Sequence, residues 1–157
     1  MKIKIILTII VVIILAITIL SLIKKKEPIS DIESFSFSYS VGYSINAYVI
    51  YRLDHKDSKY KASIKPNEVA EEKTVEIEVD KKTVNKIENV LKKYHVENWD
   101  GFNKSNKHVL DGNSFSLNIK MKNRQITASG YMMWTKNYAK VRQELDNIFL
   151  NMYKNHN

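Results

Sequence analysis

The chain has 157 residues and no cysteine, so a disulfide framework, thiol chemistry and a cysteine-linked lipid anchor are all closed to it. Its formal net charge of +8 suggests a nucleic-acid partner until it is divided along the chain: Lys2, Lys4, Lys24, Lys25 and Lys26 supply five of it, and residues 27–157 hold 20 Lys and Arg against 17 Asp and Glu, a net +3. Lysine outnumbers arginine 22 to 3, so the bidentate guanidinium contacts that read phosphates and bases are scarce and no nucleic acid is expected.

Residues 1–4 are a short tail. Ile5 to Ile23 then form 19 positions with no charge, Gly or Pro, interrupted only by Thr8, Thr18 and Ser21. At about 1.5 Å rise per residue this run spans about 28 Å, close to the hydrocarbon core of a bilayer at about 30 Å. It is longer than the apolar stretch of a secretory signal and ends in Lys24-Lys25-Lys26 rather than in small residues. The expectation is therefore an uncleaved, single-pass transmembrane signal-anchor in the cytoplasmic membrane, with the lipid bilayer as the partner of residues 5–23. The flanking lysines tie, and the short leader favours a C-terminal domain outside the cytoplasm, at the cell envelope.

Residues 24–33 read as a linker and 34–157 as one α+β domain. Phe35, Phe37, Tyr39 and Val41 alternate with serines, and Ile45, Ala47, Val49, Tyr51 and Leu53 keep the odd parity, so two half-buried strands are expected. A three-residue loop, Gly42-Tyr43-Ser44, pairs Val41 with Ile45 and Phe37 with Val49. A third strand carries Tyr60, Ala62 and Ile64, with a loop at 55–58 setting Tyr60 opposite Leu53, and Val75, Ile77 and Val79 make a fourth. Asp80 caps a helix whose stripe is Val84, Ile87, Leu91 and Tyr94. After a loop at 95–113, a hairpin turning at Asn123-Arg124 pairs Met121 with Ile126 and Ile119 with Ala128. A last helix, about 136–153, aligns Val141, Leu145, Ile148, Phe149 and Met152. The order ββββ-α-ββ-α predicts an antiparallel sheet with both helices packed on one face.

The least ordinary stretch is Trp99-Asp100-Gly101-Phe102, then Ser105, then Val109-Leu110-Asp111-Gly112-Asn113-Ser114-Phe115-Ser116-Leu117, answered by Ala128-Ser129-Gly130-Tyr131 and Trp134. Both Asp-Gly pairs are turn formers, which alone explains their presence. The functional expectation is that Trp99, Phe102, Tyr131 and Trp134 gather as an aromatic contact surface, with Asp100, Asp111 and Asn113 adding polar contacts to a cell-envelope glycan or protein partner. The pattern W-x-G-F … V-L-D-G-x-S-F-S-L … A-S-G-Y, over residues 95–153, resembles a family of small membrane-anchored or secreted domains from low-GC Gram-positive bacteria. The resemblance implies a shared fold and carries no catalytic residue with it.

The reading is thus of a non-catalytic binding or accessory domain. One alternative is a membrane-tethered hydrolase using His108, Asp111 and Ser105 or Ser114, although no G-x-S-x-G elbow is present. Another is an inhibitory or immunity-type partner protein. No cofactor is expected: Gly42, Gly101, Gly112 and Gly130 form no phosphate loop. No metal is expected either, because His55, His95, His108 and His156 are scattered and Asp111-Gly112-Asn113-Ser114 offers too few oxygens for calcium.

Overall fold

The computed structural model describes residues 12–13, 26–40, 47–70 and 73–156. Most of the expected membrane segment, and the expected Gly42-Tyr43-Ser44 loop, lie outside these residues. Among the described residues no helix is long and apolar enough to cross a membrane.

The alternating rows form strands. β1 (Ile32–Ser40), β2 (Tyr48–Lys56), β3 (Lys59–Lys65) and β4 (Val75–Val79) are antiparallel neighbours. The short β5 (Phe102–Ser105) runs parallel to β7 (Arg124–Tyr131), which is itself antiparallel to β6 (Ser114–Met121). One seven-stranded, mostly antiparallel sheet results, in the order β4-β3-β2-β1-β6-β7-β5. The 95–113 segment is therefore not all loop: it holds a 3-10 turn at Val96–Trp99 and then the edge strand β5. Four residues with only Phe102 facing inward carry too little alternation to read as a strand, and the ladder along β7 is what orders them.

Two helices complete the fold. α1 (Lys81–Lys93) starts at Asp80, whose Oδ1 accepts from the Thr83 amide at 2.8 Å. α2 spans Tyr138–His156. Val84, Ile87 and Leu91 of α1 and Val141, Leu145 and Phe149 of α2 share one buried cluster with Phe35, Phe37, Leu53 and Ile119 of the sheet. The serine row of β1 stays partly exposed, so the apolar face is the covered one. The core also reaches further back than the sequence suggests: Ile29 and Ile32, assigned above to the linker, are buried.

All three expected hairpin registers shift by two residues. Phe37 pairs with Tyr51 rather than Val49, because Ser40 and Tyr48 are the last partners and the connection between them is longer than three residues. Leu53 faces Ala62 rather than Tyr60, across a two-residue turn at Asp57-Ser58. Both turn residues have positive φ, 52° and 63°, as a type I′ turn requires. Ile119 faces Ile126 rather than Ala128, with the turn at Lys122-Asn123. A slip of two keeps every side chain on its own face, so burial does not oppose it.

A polar clasp ties the helices together. Lys93 Nζ donates to Glu144 Oε1 at 2.7 Å and the Tyr94 hydroxyl donates to the same oxygen at 2.5 Å. The Lys93 bond first, and the Tyr94 bond with it, hold the Glu144 carboxyl below its usual range, while Thr83 does the same for Asp80. A carboxyl depressed in the folded state stabilises the fold above its unfolded pKa and loses that contribution as pH falls through the folded value. In the Asp80→Asn/Glu144→Gln double variant the urea midpoint is expected to change less than in the parent as pH drops from about 5 through the ordinary carboxylate range. Parallel pH curves for the two proteins would remove the clasp from the account.

Candidate functional site

The chain leaves β7 at Tyr131 and turns back through Met132, whose φ is 51° and whose amide donates to the Asn113 carbonyl at 2.9 Å. Gly130 makes that return possible. A Cβ there would lie 2.1 Å from the Met133 carbonyl oxygen and 2.6 Å from Phe115 Cε1. The returning segment lays Trp134 over Tyr138, with centroids 4.6 Å apart and planes at 22°, and over Phe115 at 5.8 Å and 29°. Phe102 stacks on Phe115 from β5 at 6.1 Å. Trp99 comes up from the 3-10 turn beneath, edge-on to Phe115 at 6.1 Å, and its indole N–H donates to the Lys136 carbonyl at 3.1 Å.

Burial separates these rings into floor and surface. Trp99 is 3 % exposed and Trp134 is 41 % exposed. Trp134 stands between two clefts and, with Thr135 and Asn137, belongs to the walls of both. The smaller, about 290 Å³, runs between Tyr94, His95, Asn98, Trp99, Phe102 and Lys136. The larger, about 450 Å³, lies at the start of α2 between Ser40, Asn113, Tyr138, Lys140 and Arg142.

Beneath the larger cleft the Tyr39 and Tyr51 hydroxyls both donate to Asp146 Oδ1, at 2.6 and 2.8 Å. Arg142 is 4.0 Å from the other oxygen of Asp146, and its guanidinium lies over the Tyr39 ring at 5.2 Å. Burial raises the pKa of both tyrosines, and the Tyr138 hydroxyl is pushed up to about 12, again mainly by burial. All three therefore stay neutral near pH 7 and serve as donors and packing groups. On the smaller cleft, His95 Nδ1 is 3.0 Å from Oε1 of the buried Glu97, which orients the imidazole.

Of the residues singled out from the sequence, Trp99, Phe102 and Trp134 gather here, and Asn113 lines the larger cleft. The others are engaged elsewhere. Asp100 Oδ1 accepts from the Thr127 amide at 3.2 Å and its other oxygen is 3.9 Å from Lys26. Tyr131 donates to the Leu110 carbonyl at 2.8 Å and so closes the 106–113 loop, on which Asp111 is exposed. His108 is exposed, and among the described residues its ring makes no hydrogen bond to Asp111, Ser105 or Ser114. Ser114 instead takes Ser40 as its partner, with the amide 2.7 Å and the hydroxyl 3.4 Å from Ser40 Oγ. Sequence reasoning missed Thr135, Lys136, Asn137, Lys140 and Arg142. Their only signal was their place directly after Trp134.

The site sits at one end of the sheet. β1 and β6 pair Ile32 with Met121 at one end and Tyr39 with Phe115 at the other. The chain enters at the first end, where Arg124 donates to the Glu27 carbonyl. Within the described part of the domain the large apolar side chains left exposed are Tyr48, Leu110, Met133 and Trp134, and all four lie at the second end. Tyr48 opens β2 opposite Ser40, and Leu110 is held by Tyr131. At about 3.4 Å per strand residue the two ends are separated by about 24 Å. No model of a known protein family matches the chain, and the comparison with curated proteins finds no match.

Proposed function

We propose that the chain is a single-pass membrane protein whose α+β domain presents a non-catalytic contact surface, centred on Trp134, to a partner at the outer face of the cytoplasmic membrane. One observation carries this reading: the exposed apolar side chains of the domain cluster at the end opposite the one where the chain enters. Exposed apolar residues gathered at one end of a domain, rather than scattered over it, are the mark of an interaction site. The apolar run at Ile5–Ile23 supports the membrane location. Only five residues separate Ile23 from the buried Ile29, so the near end is tethered within about 20 Å of the bilayer and the patch faces away from it. The resemblance to anchored and secreted bacterial domains is in keeping with the same placement.

The test is fractionation of cells producing the full chain, with protease added to intact cells. The chain is expected to stay with the membrane after a high-salt wash and to lose its C-terminal domain to the protease. A chain released by salt, or one protected until the cells are broken, would sink the proposal.

A further inference from the structure

The surface around Trp134 also has a sign. No carboxylate belongs to the walls of either cleft, whereas Lys136, Lys140 and Arg142 do. Elsewhere on the domain Lys59, Lys61, Lys93 and Lys120 each pair with a glutamate. Among the described residues neither Lys136 nor Lys140 pairs with a carboxylate. Arg142 is paired with Asp146, 4.0 Å from its Oδ2, so the cationic side chains of the walls left without a carboxylate are Lys136 and Lys140. Residues 41–46, which follow Ser40 in the chain, contain no charged side chain. The unpaired charges in the cleft walls, Lys136 and Lys140, are therefore both positive, which favours an acidic partner.

The apolar component narrows the class. Trp, Tyr, Met and Arg are the types enriched where protein partners meet, and a Trp held by stacking is a common anchor of such contacts. Trp134 is held on Tyr138 and Phe115, so little side-chain freedom is left to lose on binding. A neutral sugar hydroxyl both donates and accepts, so a glycan site sets carboxylate acceptors beside its donors. Here every fully charged wall side chain is a donor.

We infer that the Trp134 surface takes an acidic segment of a partner protein, with a large apolar side chain seated beside the indole. This rests on the binding reading above and names the chemistry of its ligand. The probe is a library of short random peptides displayed on phage, selected against the full chain in detergent micelles, with an array of neutral oligosaccharides as a second arm. Enriched peptides are expected to carry net negative charge and a large apolar residue. Their affinity is expected to fall at least about tenfold in Trp134→Ala and in Lys136→Glu/Lys140→Glu, and to weaken as salt rises. Both lysines are exposed, so the double variant is expected to keep the parental unfolding midpoint. Enrichment of neutral or basic peptides, or affinity indifferent to the charge reversals, overturns the inference. Oligosaccharide binding that depends on Trp134, with no peptide enriched, overturns the inference and leaves the contact surface standing. If neither arm gives a signal that Trp134→Ala removes, both fail.

Discussion

Replacing Phe149 with Ala is expected to destabilise the domain by about 3–5 kcal/mol, the usual cost of emptying a buried phenylalanine site. Phe149 is fully buried, stacked on Tyr51 with centroids 4.5 Å apart and planes at 4°, and on Phe35 at 6.0 Å and 10°. It joins the last helix to the two central strands. Its loss leaves a void between two large rings that the sheet backbone keeps from closing. Tyr51 also loses the ring that covers it while its hydroxyl remains tied to Asp146. Domains of this size have about 5–15 kcal/mol in total, so the variant is expected to fold with its reserve largely spent. With a urea dependence of about 1–3 kcal/mol per molar, the midpoint falls by about 1–5 M. A fall below about 0.5 M would mean that α2 does not pack on β1 and β2 through this ring.

Gly130→Ala is expected to damage stability and the contact surface together. The new methyl carbon meets the Met133 carbonyl oxygen at 2.1 Å and the Phe115 ring at 2.6 Å, so backbone or ring must move. Overpacking of this kind costs about 1–3 kcal/mol, and the backbone contact puts Gly130 at the upper end. Either movement disturbs Trp134, because Met133 precedes it and Phe115 lies beneath it. The tryptophan fluorescence of Gly130→Ala is therefore expected to differ from that of the parent before any unfolding, with Trp134 as the altered emitter. Phe149→Ala, remote from that turn, is expected to leave the native spectrum unchanged. A Gly130→Ala protein with parental midpoint and spectrum would show that the 131–134 return does not run over Phe115.

The parity of the apolar residues was enough to say which side chains face the core. Odd positions of β1 from Phe35 onward, odd positions of β2 from Val49 to Leu53 and even positions of β7 from Ile126 point inward as their alternation requires, while the irregularity between Ile32 and Ser34 turns the even-numbered Ile32 inward as well. Parity cannot set register, since a two-residue slip changes the partners without exposing anything, and turn chemistry had to decide it. Asp57-Ser58 makes a type I′ turn without glycine, so the usual marker is missing. β5 was illegible for a different reason. Its place comes from the β7 edge, a long-range partner, and not from its own four residues.

The candidate site was half legible. Trp99, Phe102 and Trp134 stand out by type, but only the parallel pairing of β5 with β7 shows that they meet and that Trp99 is floor rather than surface. Lys136, Lys140 and Arg142 look like ordinary solvated charges until the helix start is seen to run along a cleft. Tyr131, an equally reasonable candidate, is drawn to the Leu110 carbonyl because strand alternation sends it to the face opposite Phe115 and Gly130.

The most direct measurement is photo-crosslinking from the full chain in intact cells, with a benzoylphenylalanine placed at position 134 and, separately, at position 122 in the hairpin turn near the chain entry. Position 134 is expected to give a discrete adduct, lost when Lys136 and Lys140 are both changed to Glu, while position 122 gives none of the same mass. No adduct from 134, or the same adduct from both positions, would contradict a contact surface at the far end of the domain.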